Sequence, residues 1–390
     1  MPVLNRIAEF QADMTAWRRD LHQHPELALQ EVRTSRVVQE HLAAFGVDEI
    51  VTGLATTGVV GVIRGQQEGG AIGLRADMDA LPIVEATGLP YASQTEGIMH
   101  ACGHDGHTAM LLGAARYLAE TRNFAGTVYV IFQPAEENFG GGEMMVKEGL
   151  FERFPMDRVF GMHNWPSHPA GEFLWRAGPI MAAVSTIDIT VRGKGAHGAY
   201  PHNGTDPIVA AAAIVMALQS VVARTLDPMD NAVVTIGQIG GGVASNVIPE
   251  TVTMKGTSRW LTPAVGDLLE QAVTRIVHGT AAAFGATAEI AYHRMYPATV
   301  NDADATELAR HAAETVAGPG RVSHMPRPTM GGEDFSFMLN AKSGSYLLLG
   351  GGRSADDPQV HHPRYDFNDD ILQVGASYWA TLAEQLLPRR

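Results

Sequence analysis

The feature that most limits the fold is an alternation of short apolar strands with helix-patterned stretches, which fills the first 180 residues and resumes after Pro297. A helical pattern covers 4–22, Pro25 interrupts it, and a second covers 31–45. Strands are expected at 59–64 and 72–76, a helix at 106–120, a strand at 127–132, a short helix near Met144 and a strand at 159–162. Strands that alternate with helices predict an α/β layer with a mostly parallel sheet flanked by helices. Ligands collect at the carboxyl edge of such sheets. Asp77 with Asp79, Glu136 with Glu137, and His163 all fall just after these expected strands.

Near Ala183 the pattern changes. Ile187, Ile189 and Val191 alternate with polar residues, as in a half-buried strand. A helix over 206–224, strands over 233–239 and 251–259, a helix over 263–284 and a strand over 288–293 follow. This β-α-β-β-α-β order is ferredoxin-like. The expectation is an α+β domain at 183–293 inserted into a first domain made of 1–182 and 294–390. Helix returns at 303–317, strand at 346–349 and a last helix at 370–387.

Composition narrows the partners. A formal net charge of -14 argues against nucleic acid or an anionic membrane. The richest apolar stretch, 208–222, carries Gln219 and Ser220, so no membrane span is expected. The opening Met-Pro-Val-Leu-Asn-Arg has no basic start followed by an apolar run, so no signal peptide is expected. Cys102 is the single cysteine, which rules out an intrachain disulfide and points to a reducing, cytoplasmic setting.

Cys102, His104 and His107 lie within six residues of one another. Thiolate and imidazole suit borderline divalent metals, and one cysteine is too few for the usual structural zinc site. The plainer alternative is a packed thiol beside surface histidines. Glu136 and Glu137 follow a strand, where one carboxylate can bind metal while its neighbour faces water, a division suited to general-base hydrolysis. His163 and the pair His361-His362 are weaker signals taken alone. His197 stands in the glycine-rich Gly-Lys-Gly-Ala-His-Gly (193–198), where it can approach a substrate and stabilise charge on a carbonyl oxygen. Asn246 and Arg259 are further polar groups of the inserted segment, and an arginine can bind a carboxylate through two hydrogen bonds.

Taken in order, these motifs resemble the metal-dependent amidohydrolases that include hippurate hydrolases, bacterial N-acyl-amino-acid aminoacylases and plant auxin-conjugate hydrolases, and more distantly carboxypeptidase G and acetylornithine deacetylase. The matching segments include Arg-Arg-Asp-Leu-His-Gln-His-Pro-Glu-Leu (18–27), Leu-Arg-Ala-Asp-Met-Asp-Ala-Leu-Pro (74–82), Met-His-Ala-Cys-Gly-His-Asp-Gly-His (99–107), Phe-Gln-Pro-Ala-Glu-Glu (132–137), Gly-Met-His-Asn-Trp-Pro (161–166), Gly-Gly-Glu-Asp-Phe (331–335) and His-His-Pro-Arg-Tyr-Asp-Phe-Asn-Asp (361–369). The resemblance implies that Cys102, His104, Glu137, His163 and His361 bind a pair of divalent metals (zinc, manganese, cobalt or nickel). It implies that Glu136 is the general base, that His197 polarises the scissile carbonyl, and that Asn246 and Arg259 hold the substrate. It also implies that the inserted domain is a lid that forms a homodimer. More distant relatives carry a ligand histidine where this chain has Asp77; in the aminoacylase-like group an aspartate is usual there and Cys102 joins the ligands instead, so Asp77 is left out of the ligand set. Asp79 and Asp105 are candidates for orienting a ligand from behind, while His100 and His107 are expected to be scaffolding. The activity implied is hydrolysis of N-acyl-L-amino acids, with a dipeptidase or carboxypeptidase, or a metal-dependent binding protein without turnover, as the alternatives.

Overall fold

The computed structural model describes residues 4–389; the first three residues, part of the N-terminal stretch read above, lie outside it. The chain divides into two compact units, Met181–Ala298 with Thr329–Glu333, and the remainder.

In the larger unit, an eight-stranded sheet runs in the spatial order Glu49–Leu54, Gly58–Arg64, Ala125–Gln133, Gln67–Asp77, Arg158–Pro169, Gly344–Gly352, Phe173–Trp175, Val322–His324. The four central strands are mutually parallel. The first two form an antiparallel hairpin at one edge. Strands covered on both faces read as apolar runs; the parallel Ala125–Gln133 and its antiparallel neighbour Gly58–Arg64 are both buried at nearly every position. The helix His104–Thr121 is buried along most of its length and packs against Gln11–Gln23 and Leu372–Leu386, the latter also against Ala303–Ala317.

Three sequence expectations change. The helical pattern of 4–22 is two helices, Asn5–Ala8 and Gln11–Gln23, with the buried Phe10 at their junction. The strand Glu49–Leu54 escaped the pattern because it buries only Leu54 and so has no apolar face to alternate. The strand expected at 159–162 extends over Arg158–Pro169, so His163 lies within a strand and not after it. Its pairing with the central strand ends at Arg75 and Gly161, while pairing with Gly344–Gly352 continues past His163. His163 therefore stands two residues beyond the pair Arg75 and Gly161, level in register with Asp77 and Gln133, which end their own strands side by side.

The smaller unit is an antiparallel four-stranded sheet in the order Ala232–Gly241, Thr251–Trp260, Ala183–Arg192, Thr287–Tyr296, with the helices Pro207–Ser220 and Pro263–Ala283 packed on it and on each other. In chain terms the spatial order is second, third, first, fourth. The alternation seen in sequence is real: Ala183, Ser185, Ile187, Ile189 and Val191 face the core. The unit's edges differ from the expected 183–293. The last strand continues three residues, pairing Tyr296 with Val184, and the Ala182 N–H donates to the Gly331 carbonyl at 2.8 Å, which ties Thr329–Glu333 to this unit.

Pro207–Ser220 continues through a π turn, Val221–Thr225, and by length and composition this one segment among the described residues is apolar enough to cross a membrane. Counting uninterrupted apolar residues missed it because Gln219 and Ser220 break the run. Its Ala210, Ala211, Ile214 and Leu218 are built into the unit's core, while Ile208, Val209, Met216 and Val222 are exposed.

Candidate metal centre

The site begins with a backbone necessity. Gly103 has φ +96°, a region only glycine enters freely. A Cβ there would meet Asn164 Nδ2 at 2.4 Å and Tyr365 Oη at 2.7 Å. This turn directs Cys102 toward the sheet edge and opens the helix at His104.

Six side chains of the larger unit converge there. Cys102 Sγ is 3.3 Å from His163 Nε2. Glu137 Oε1 lies 3.9 Å from His104 Nε2 and 3.2 Å from His361 Nε2. Cys102 with His104 and His163, Cys102 with Glu137 and His361, and His104 with Glu136 and Glu137 each offer ligand atoms within 4.8 Å of one another. His361 reaches the site from a left-handed residue, φ +66°, whose N–H donates to the Ala101 carbonyl at 2.7 Å.

A metal fits these donors on two observations. His104 Nε2 and Glu137 Oε1 are buried with no hydrogen-bond partner, an arrangement costly unless a cation completes it. The donors are also held from behind, as ligands usually are. The His104 Nδ1–H donates to the Asp79 carbonyl at 2.9 Å, which leaves Nε2 facing the cluster. The His163 Nδ1–H donates to the Asn164 carbonyl at 2.6 Å, which turns Nε2 toward Cys102. Burial, helped by His107, pushes the His163 pKa well below the usual histidine range, so the ring is neutral. Burial opposes charge on His104, but Asp77, Asp79 and Glu137 together outweigh it and raise its pKa to about 10. Burial first, then Glu137 and Glu136, pushes the Cys102 thiol well above its usual range. Metal uptake here must therefore displace protons from Cys102 and His104.

Asp79 is the central brace. Its Oδ1 accepts the Glu136 N–H at 3.1 Å and its Oδ2 the Glu137 N–H at 3.0 Å. Asp105 touches none of the donors. It is bonded to His22 Nδ1 at 2.8 Å and lies 3.7 Å from Arg18 Nη1. Neighbouring helix residues point about 100° apart, so Asp105 faces away from the side on which His104 meets the cluster. His107 is fully engaged: Nδ1 lies 2.6 Å from Asp77 Oδ1, and Nε2 accepts the Asn164 N–H at 2.9 Å. Asp77 is committed to His107 and to Arg75, 2.7 Å away. His100 is buried without a hydrogen bond, and burial pushes its pKa down to about 4.

Sequence reasoning assigned no role to Asn164 or Tyr365. The Asn164 amide donates to the Cys102 carbonyl and accepts from the Tyr365 hydroxyl, both at 2.7 Å, so one residue beside His163 braces the cysteine loop. Both lay inside recognised motifs, and only the fold shows that they meet.

In the smaller unit, His197 and Asn246 come together. His197 pairs with Val247 in a two-stranded ribbon, and the Gly198 N–H donates to the Asn246 carbonyl at 2.7 Å. The Ala199 N–H donates to His197 Nδ1 at 3.0 Å, which leaves the ring proton on the exposed Nε2. Arg259 is not on this ribbon; it is half-buried on the strand Thr251–Trp260, where its guanidinium donates to the Thr257 hydroxyl and the Ser258 carbonyl.

The chain is similar to known proteins along most of its length. The pattern of peptidase family M20/M25/M40 matches residues 73–385. A hippurate hydrolase of Campylobacter jejuni is 40% identical over 99% of this chain and 100% of its own length. An N-acetyl-L-cysteine deacetylase of Bacillus subtilis is 41% identical over 93% of this chain and 85% of its own. The crystal structure of a dinuclear metal-binding M20 peptidase from Bacillus subtilis superimposes with a TM-score of 0.83 at 35% identity, covering 97% of this chain and 99% of that one. On the strength of its sheet, its converging donors and these matches, the chain belongs to peptidase family M20/M25/M40 and is a hydrolase of amide bonds.

Proposed function

We propose that the protein hydrolyses N-acyl-L-amino acids at the amide bond, releasing a carboxylic acid and a free amino acid. The observation that carries this reading is the convergence of the buried Cys102, His104 and His163 with the half-buried Glu137 and the exposed His361, beside a sixth group, the buried Glu136 carboxylate. Five donors of mixed thiolate, imidazole and carboxylate type suit two divalent ions from among zinc, manganese, cobalt and nickel. Ions held there supply Lewis acidity toward the carbonyl and lower the pKa of a coordinated water.

The chain's own residues do the rest. Glu136 takes the proton of the attacking water and returns it to the nitrogen of the leaving amino acid as the C–N bond breaks. Its backbone is held by Asp79, so its carboxylate needs little reorganisation. His197, with its proton on Nε2, donates to the carbonyl oxygen as negative charge develops. Arg259 and Asn246 bind the substrate carboxylate; the arginine offers a planar pair of donors. The names of two relatives, a hippurate hydrolase and an N-acetyl-L-cysteine deacetylase, support this substrate class. The exposed Ile208, Val209, Met216 and Val222 on the smaller unit support a homodimer formed through that unit. Cytoplasmic residence fits a functional Cys102 thiolate.

The test is a panel of hippurate, N-acetyl amino acids and simple dipeptides, assayed before and after chelation and metal return, with Glu136→Gln alongside. The reading requires metal-dependent turnover of acyl amino acids and its loss in Glu136→Gln with metals retained. Turnover of dipeptides alone would move the assignment to a dipeptidase. No turnover of either by the metal-loaded protein would leave a binding protein.

A further inference from the structure

Three successive backbone amides leading into the glutamate pair are each held by a buried carboxylate from elsewhere in the chain. Asp79 takes the N–H groups of Glu136 and Glu137. The second carboxylate, which takes the third amide, is Glu31. Its Oε1 accepts the Ala135 N–H at 2.9 Å and its Oε2 accepts the Thr57 hydroxyl at 2.7 Å. Glu31 has no exposed surface. It stands at the start of the helix Val32–Ala44, 104 residues before the backbone it holds.

Ala135 needs a holder. It is buried, and its φ of +57° lies in the left-handed region, which non-glycine residues occupy only where surroundings enforce it. That residue sets the direction in which the chain leaves the strand Ala125–Gln133, and so where the next two side chains point. If it relaxed to an extended conformation, Glu136 and Glu137 would swing away from His104.

We infer that Glu31 is a positioning residue for the reaction: by pinning Ala135 in its left-handed conformation it aims Glu136 at the attacking water and Glu137 at the metal. The inference rests on the role proposed above for the two glutamates. It extends that role to a residue that touches neither the substrate nor the metal donors.

The variants are Glu31→Ala, Glu31→Gln and Thr57→Val, made in the full chain. Three quantities are read: kcat and KM on the best acyl amino acid, the affinity for added zinc or manganese against a chelator, and hydrogen exchange of the Ala135 amide. Glu31→Ala is expected to lower kcat and metal affinity, each on the order of 10- to 100-fold, with KM little changed. Glu31→Gln restores both, because its amide oxygen accepts from Ala135 and its NH2 donates to Thr57. Thr57→Val frees only one oxygen and gives a smaller fall in the same parameters, with faster exchange at Ala135. A folded Glu31→Ala with parental kcat and metal affinity overturns the inference, as does a Glu31→Gln that fails to recover. If Glu31→Ala does not fold, Thr57→Val decides: faster exchange at Ala135 with lower metal affinity supports the inference, and parental values of both overturn it. A parent protein that binds metal but hydrolyses no acyl amino acid refutes the proposed function instead, and metal affinity and amide exchange still test Glu31.

Discussion

Asp79→Asn tests the brace beneath the metal centre with almost no change in shape. Asp79 is buried, and its two oxygens receive three donors: Oδ1 takes the Glu136 N–H and lies 3.2 Å from His104 Nδ1, while Oδ2 takes the Glu137 N–H. An asparagine keeps one oxygen and replaces the other with a donor. Turned so that its oxygen serves Glu136 and His104, it keeps two interactions and sets an NH2 against the Glu137 N–H. The opposite rotamer keeps one and sets its NH2 against the other two, so the first is favoured. His104 retains its bond to the Asp79 backbone carbonyl in either case. The lesion thus falls on Glu137. A hydrogen bond to a charged group is worth about 1.5–3 kcal/mol, and each 1.4 kcal/mol is about tenfold in affinity. The expected result is a fall of about 10- to 100-fold in affinity for one of the two ions, measured by chelator competition, with the other ion held nearly as in the parent. Equal loss of both ions, or no loss, would refute the reasoning.

Gly103→Ala puts a Cβ against Asn164 and Tyr365 at φ +96°; left-handed strain and overpacking together predict about 2–5 kcal/mol of destabilisation in denaturant unfolding, and a stability loss within error would contradict the geometry. Burial opposes charge on His22, but Asp105 and Glu85 outweigh it and raise its pKa from 6.5 to about 9. Its contribution to stability is therefore complete below pH 6.5 and disappears as pH rises through about 9, so the advantage of the parent over His22→Gln should shrink across that window by up to about 3 kcal/mol. His197→Ala should lower kcat about 10²–10³-fold while leaving the unfolding midpoint near that of the parent, because the ring is exposed; an unchanged kcat removes His197 from the reaction.

Much of the fold could be read without coordinates because its signals are local. Apolar runs such as Val59 to Ile63 need cover on both faces, and the alternation Ile187, Ile189, Val191 needs it on one. Elements with no such signal stayed hidden: Glu49–Leu54, which buries a single residue, and Phe173–Trp175 and Val322–His324, too short to show a period.

The sequence by itself determined which residue types could form the centre: a lone thiol, closely spaced histidines and paired glutamates in motifs specific enough to recognise. Only the tertiary structure decided what each of them does. Cys102, His104 and His107 lie within six residues of one another, yet His104 turns a nitrogen without a hydrogen-bond partner toward the cluster while His107 has both of its nitrogens engaged by Asp77 and Asn164. Asp79 and Asp105 each neighbour the site in sequence, yet one braces the glutamates and the other pairs with His22. The physical reason is that a buried side chain's role is set by which hydrogen-bonding capacity remains after its neighbours have taken their share. Those neighbours come from strands and loops far apart in the chain, brought together when the sheet forms.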